Sequence, residues 1–366
     1  MVRLSGMQRR TLNRCPPEIV SIIATFACTD GGYTGCSLSR VSRYIRNATQ
    51  RVRYLSIALT SEKSLVSFAQ LLDSSRGRHT IRHLFLSVKV PTTASDSQED
   101  FTRERRTALL NGLETVLDYT ATMLITLAIY KPANVCLVCT TRRSFPALQD
   151  LAIPEAIPTL PLSDPKENSP RFPSLRRLHI TGCNQFTFHI PLWVSIAETA
   201  PLLTHLRVSS VRDDLQLPRF LRVLLKVPPP DRTPGQWAPP TRIDHWYKAG
   251  SEDVWQAEKV AARLPLLKDV YVHRRPMNDM SAERRFESVT YDCMSLGLTH
   301  IAESTAKGAG EGILHLVPVV RGYRYHEAKK HWLDMVAGRN GPWSTDPPDD
   351  IYEPPECKTE ASCCIA

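Results

Sequence analysis

No apolar run in the 366-residue chain reaches the roughly 20 residues of a membrane-spanning helix, so no transmembrane segment is expected. Residues 1–10 are basic and no hydrophobic stretch follows them, which excludes a secretory signal. Glycine-rich phosphate loops and the Gly-x-Ser-x-Gly elbow are both missing, which argues against nucleotide hydrolysis and serine-hydrolase chemistry. His326 and His331 are five apart, about 140° around a helix, so they miss the shared face of a zinc-binding helix. His79 and His83 straddle the start of an expected strand. Cys136 and Cys139 form a lone CxxC in an apolar context and read as buried thiols. The sequence therefore assigns no catalytic residue, no metal site and no cofactor, and the chain is not expected to be an enzyme.

What is present is globular: 42% apolar and 23% charged. Ten cysteines in a chain without a signal are expected to be reduced thiols, in a cytoplasmic or nuclear protein. Residues 12–48 are the most informative stretch. Pro16 and Pro17 suit the first turn of a helix, where a missing N–H costs nothing, and Glu18 suits the helix dipole. Ile19, Ile22, Ile23 and Phe26 recur at i, i+3, i+4 and i+7. Residues 29–32, Thr-Asp-Gly-Gly, stop that helix. A second helix is expected with Leu38, Val41, Ile45 and Ala48 on one face and Arg40, Arg43 and Arg46 on the others.

This helical hairpin resembles an F-box, in the F-box-like form common in fungal proteins. The family's Leu-Pro-x-Glu-Ile opening is matched by Cys15-Pro16-Pro17-Glu18-Ile19, with cysteine in place of leucine. Its Val-Ser/Cys-Arg segment is matched by Val41-Ser42-Arg43. The resemblance covers about a tenth of the chain. It implies a substrate-recognition adaptor of a cullin–RING (SCF-type) ubiquitin ligase. Pro16, Ile19, Ile23, Leu38, Val41 and Ile45 would then bind the family's acidic adaptor subunit, with the cullin beyond it. Residues 1–60 carry nine arginines against Glu18 and Asp30, a net of +7, a sign that suits an acidic partner. Nucleic acid would also suit that charge, but aromatic–basic alternation and zinc-finger spacing are absent. The arginines read rather as a solvated helix face.

Downstream, a phrase of the form apolar-x-x-apolar-x-apolar recurs: Val52/Leu55/Ile57, Ile81/Leu84/Leu86, Leu124/Leu127/Ile129, Leu175/Leu178/Ile180, Leu203/Leu206/Val208 and Leu267/Val270/Val272. The phrases start 29, 43, 51, 28 and 64 residues apart. Helical patterns lie between them at 62–72, 104–119, 192–199 and 252–264. Residues 175–184 look most like a leucine-rich repeat, with Cys183 at its Asn/Cys position. An α/β fold is expected: the F-box-like hairpin (11–50), then an irregular leucine-rich-repeat-like solenoid (51–340). In a solenoid the last two apolar residues of each phrase point inward, and the residues alternating with them line the concave sheet. His83, Phe85, Tyr130, Arg177, His179, His205, Arg207, Tyr271 and His273 would form that surface and bind the protein substrate.

Two proline-rich stretches, 154–173 and 218–240, are expected to be long inserted loops. Residues 341–366, with six acids against Lys358, read as a disordered acidic tail. The last four, Cys363-Cys364-Ile365-Ala366, match a CaaX prenylation box, with Cys357 as a second lipidation candidate. Membrane association is expected only if Cys363 is prenylated. Two other readings stay open: a non-ubiquitin scaffold whose hairpin caps the solenoid, and a basic nucleic-acid binder.

Overall fold

The computed structural model describes residues 15–75, 79–88, 99–130, 143–154, 170–182, 190–211, 216–228, 252–275, 285–318 and 323–345. It is an α/β protein in two compact units, one of residues 1–124 with 356–366, the other of residues 125–355. Among the described residues no helix is long and apolar enough to cross a membrane.

The first unit opens with three helices rather than a two-helix hairpin: α1 (Pro17–Ala27), α2 (Tyr33–Val41) and α3 (Arg43–Thr49). Ser42 causes the split. Its backbone is extended (φ −162°, ψ 163°), and its side chain accepts from the Ile45 amide at 3.2 Å, capping a new helix. Asp30 caps the second helix by accepting from the Thr34 amide at 2.9 Å. Strand β1 (Ser56–Leu59), helix α4 (Glu62–Ser75), strand β2 (His83–Leu86) and helix α5 (Glu99–Thr120) follow, with β1 and β2 parallel and Ser56 opposite His83. Helix α4 packs on α5. The three-helix element is fastened to β1: the Gly31 amide donates to Ser56 Oγ at 3.0 Å, and the Ala58 amide donates to the Gly31 carbonyl at 3.1 Å.

The second unit carries strands β3 (Thr126–Ile129), β4 (Asp150–Pro154), β5 (Arg177–Thr181), β6 (His205–Val211), β7 (Asp269–Arg274) and β8 (Ile313–Val317), each parallel to the next in chain order. Helix α6 (Ile190–Thr199) joins β5 to β6, α7 (Gln216–Leu224) and α8 (Glu252–Arg263) join β6 to β7, and α9 (Arg285–Ala306) joins β7 to β8. Helix α10 (Tyr325–Val336) comes last. This open sheet of sequential parallel strands is compatible with a solenoid-like arrangement.

Every one of the six phrases feeds a strand. Strand β4 carries a seventh, Leu148/Leu151/Ile153, beyond the six expected. It starts 24 residues after Leu124 and 27 before Leu175, so the apparent 51-residue gap is two ordinary turns of the chain. A backbone signature repeats with it. The carbonyl just before each of β3, β4, β5 and β6 accepts two amides of the next phrase: Ile125 from Gln149 and Asp150, Gln149 from Arg176 and Arg177, Arg176 from Thr204 and His205, and Thr204 from Lys268 and Asp269, all at 2.8–3.2 Å. Leu55 does the same in the first unit, accepting from Arg82 and His83.

The apolar set of each strand is core. Leu178, Ile180, Leu206, Val208, Val270 and Val272 are fully buried. Trp193 of α6 stacks on Phe220 of α7 with ring centres 4.3 Å apart. Gly297 lets α9 lie against α7, since a Cβ there would meet Pro218 Cβ at 2.9 Å. Pro218 corrects one expectation. The second proline-rich stretch does not begin as a loop, because Pro218 sits in the first turn of α7, where its missing N–H is tolerated. Most of both stretches lies outside the described residues.

Candidate functional site

Helix α1 has two apolar faces with opposite fates. Val20 and Ala24 turn inward, and Ala24 packs with Cys28 and Leu55, with Leu38 and Val52 against them. Burial, reinforced by Asp30, pushes the Cys28 thiol up to about 11, so it stays protonated. The i, i+3, i+4, i+7 face points the other way: Ile19 is 45% exposed, Ile22 53%, Ile23 51% and Phe26 79%. Tyr33 and Val41 on α2 are also exposed, as are Arg40, Arg43 and Arg46. Isolated exposed apolar residues are common on proteins, whereas these four form one contiguous stripe along the helix.

Of the six expected adaptor contacts, Pro16, Ile19, Ile23 and Val41 are exposed. Leu38 is partly buried against the inner cluster. Ile45 is a correction: at 1% exposed it belongs to the core. The extended Ser42 restarts the helix, so Val41 and Ile45 do not share the face that one continuous helix would have given them.

The concave-face expectation needs a larger correction. His83 and Phe85 lie in the first unit, where Phe85 is fully buried and His83 is pushed down to about 4, first by burial and then by Arg82. The other seven lie in the second unit. The alternation is as expected, yet the face is not open, because residues 323–345 lie across it.

Tyr323 sets its ring against His179 at 4.9 Å and stacks on His331 of α10 at 5.6 Å, with its hydroxyl 3.1 Å from His331 Nδ1. Its amide donates to Ser210 Oγ at 3.4 Å. Ser210 sits in a bulge of β6 with φ 62°, a left-handed conformation unusual for serine. Tyr325 packs edge-on to Tyr130 at 5.9 Å, and α10 covers β3. Farther along, Arg207 donates to the carbonyls of Pro342 and Ser344. Trp343 enters between His205 and Tyr271, with ring centres 5.8 and 5.9 Å away, and also packs on Val317.

Beneath this strap the sheet is polar. Ser209 Oγ accepts from Arg207 Nε at 3.2 Å and pairs with His179 Nε2 at 2.8 Å. Arg207 is 4% exposed, and among the described residues it meets no carboxylate at ion-pair distance. Glu327, the carboxylate acting on it from a distance, accepts from the Arg324 amide at the start of α10. Burial and the Arg207 charge push His273 down to about 4 and His331 to about 3, and His179 lies well below its ordinary value for the same reasons. All three are neutral at pH 7. Among the described residues, the Nδ1 atoms of His179 and His273 and Nε1 of Trp343 have no hydrogen-bond partner.

At the near edge of the patch Arg177 pairs with Asp150. Asp269 lies 2.9 Å from His315 and 3.5 Å from His205, and Tyr271 stacks on His315 at 4.4 Å. Among the described residues no group of three His, Cys, Asp or Glu is placed to hold a metal ion.

Sequence reasoning missed Tyr323, His331, Pro342 and Trp343. Residues 341–345, expected to belong to the acidic tail, pack on the sheet instead. A tryptophan in an otherwise polar segment was the signal. Cys136, Cys139, Cys183, Cys357 and Cys363 lie outside the described residues. No protein-family model, curated protein or solved structure matches the chain.

Proposed function

We propose that this chain is a substrate receptor of a cullin–RING ubiquitin ligase, with an F-box-like element in residues 15–50 and an irregular leucine-rich-repeat-like solenoid after it. The observation that carries the reading is the α1 stripe of Ile19, Ile22, Ile23 and Phe26, kept in solvent while Val20 and Ala24 make the internal contacts. The adaptor subunit would cover that stripe, and the exposed arginines of α2 and α3 suit its acidity. Such a receptor performs no chemistry; it raises the effective concentration of substrate beside the ligase.

A scaffold whose helices merely cap the repeats is the second reading, favoured by the Gly31–Ser56 and Gly31–Ala58 hydrogen bonds. It gives the α1 stripe no role. Capture of partners by the full chain from its own cell extract, with and without Ile19→Asp, separates the two. The adaptor and a cullin should be recovered with the wild type and lost with the variant. A folded wild-type chain that recovers neither defeats the ligase reading.

A further inference from the structure

We infer that the concave face of β5–β8 is a peptide-binding groove, held in the resting chain by its own Pro342–Ser344 segment, and that its external ligand is an extended segment with an aromatic residue followed by an acidic one. The inference names the substrate class of the proposed receptor and rests on that reading only for the ligase context.

The strap engages the sheet as a bound peptide would. Its anchor is one large aromatic side chain, Trp343, in a slot between His205, Tyr271 and Val317. Its backbone is gripped by one arginine through two carbonyls on either side of Trp343, those of Pro342 and Ser344. An aromatic anchor beside an arginine is the usual composition of an energetically dominant contact. The aromatic position of the ligand follows from this slot.

The fit is incomplete, and the shortfall specifies the acid. A buried guanidinium without a carboxylate pays its desolvation without an ion pair. Around it, among the described residues, His179 Nδ1, His273 Nδ1 and Trp343 Nε1 lack partners, although buried polar atoms in a finished core are nearly always satisfied. Among the described residues the Arg207 guanidinium is held by two main-chain carbonyls and one hydroxyl, and by no carboxylate. A carboxylate reaching the guanidinium in place of the Ser344 carbonyl would make with Arg207 the charge-assisted pair that a main-chain carbonyl cannot. A segment bearing one would therefore displace the strap, whose affinity is helped only by being attached.

The test uses the full chain and a fluorescent peptide of residues 340–345, Asn-Gly-Pro-Trp-Ser-Thr. Trp343→Ala empties the slot, so that variant should bind the peptide at least about tenfold more tightly than the wild type does. A peptide with Trp replaced by Ala should not bind, and one with Ser replaced by Asp should bind several-fold better. A folded Trp343→Ala chain that binds no peptide, or binds the Trp and Ala peptides alike, overturns the inference. If that variant does not fold, the wild type decides. Its Trp343 amide, which donates to the Asn340 carbonyl at 3.0 Å, should lose hydrogen-exchange protection when the Asp peptide is in excess, and unchanged protection overturns the inference. Adaptor capture through α1 is scored separately, so either reading can fail alone.

Discussion

Arg177 and Asp150 stand opposite each other on adjacent parallel strands, and the guanidinium forks onto the carboxylate, with Nη2 to Oδ2 at 2.9 Å. Asp150 is almost wholly buried, and desolvation outweighs the arginine to hold its carboxyl above the ordinary range. Arg177→Ala would leave that buried acid without its guanidinium, with only the Thr126 hydroxyl and the neighbouring His205 to offset its burial. The expected loss is toward the lower end of about 3–5 kcal/mol, because 29% of the Arg177 side chain reaches solvent. Urea denaturation of the variant checks it, and replacing both residues by leucine should restore most of the loss.

Ile19 and Ile45 should behave oppositely although both were expected in one interface. Ile19→Asp lies on an exposed face and should change stability by no more than about 0.5 kcal/mol. Ile45→Ala empties core space and should cost about 2–5 kcal/mol. Thermal unfolding of the two variants side by side measures the contrast.

Gly35 on α2 runs against the backbone at Arg53, where an added Cβ would stand 1.9 Å from the carbonyl oxygen. Backbone cannot yield as a flexible side chain does. Gly35→Ala should cost about 1–3 kcal/mol or more and loosen the three-helix element, read as faster amide exchange at Cys36 and Ile45.

Acid should weaken the second unit in a defined window. His273 and His331 titrate near 4 and 3 when folded, against about 6.5 in an unfolded chain. His273 faces Arg207 and Arg274, and His331 faces Arg207, Lys330, His273 and the Tyr323 hydroxyl, with His179 coupled to both. Below pH 6.5 the unfolded chain takes up protons that the folded one refuses, so stability is full above that pH and falls toward pH 4. Thermal midpoints measured from pH 7.5 to 4.5 should trace that fall, and His273→Gln should make it shallower.

The strands were legible because their signal is local: an apolar pair at period two with a third apolar residue three positions before it. Strand β8 escaped because Glu311 stands where the first apolar residue of the phrase should be. Helix α9 escaped because its stripe, Tyr291, Met294, Leu298 and Ile301, is diluted by serine, threonine and Gly297, weak helix formers. The alternation of the concave residues was also readable. Their cover was not, because the pairing of Arg207 with Pro342 spans 135 positions and leaves no periodic trace. The split at Ser42 was hidden for another reason: a serine that caps a helix looks, in sequence, like one that sits inside it.

An array of sequential strands ordinarily frays, since each repeat leans only on its neighbours and the terminal ones have one neighbour each. Here the chain leaves β8, lays α10 over β3, and brings Trp343 back to Tyr271 and Val317. First and last strands of the unit are thereby clasped by a single segment. Fraying from the β8 end requires that clasp to open, so the strands from β3 to β8 should melt in one cooperative step, and a ligand that lifts the clasp would let β8 fray ahead of the rest.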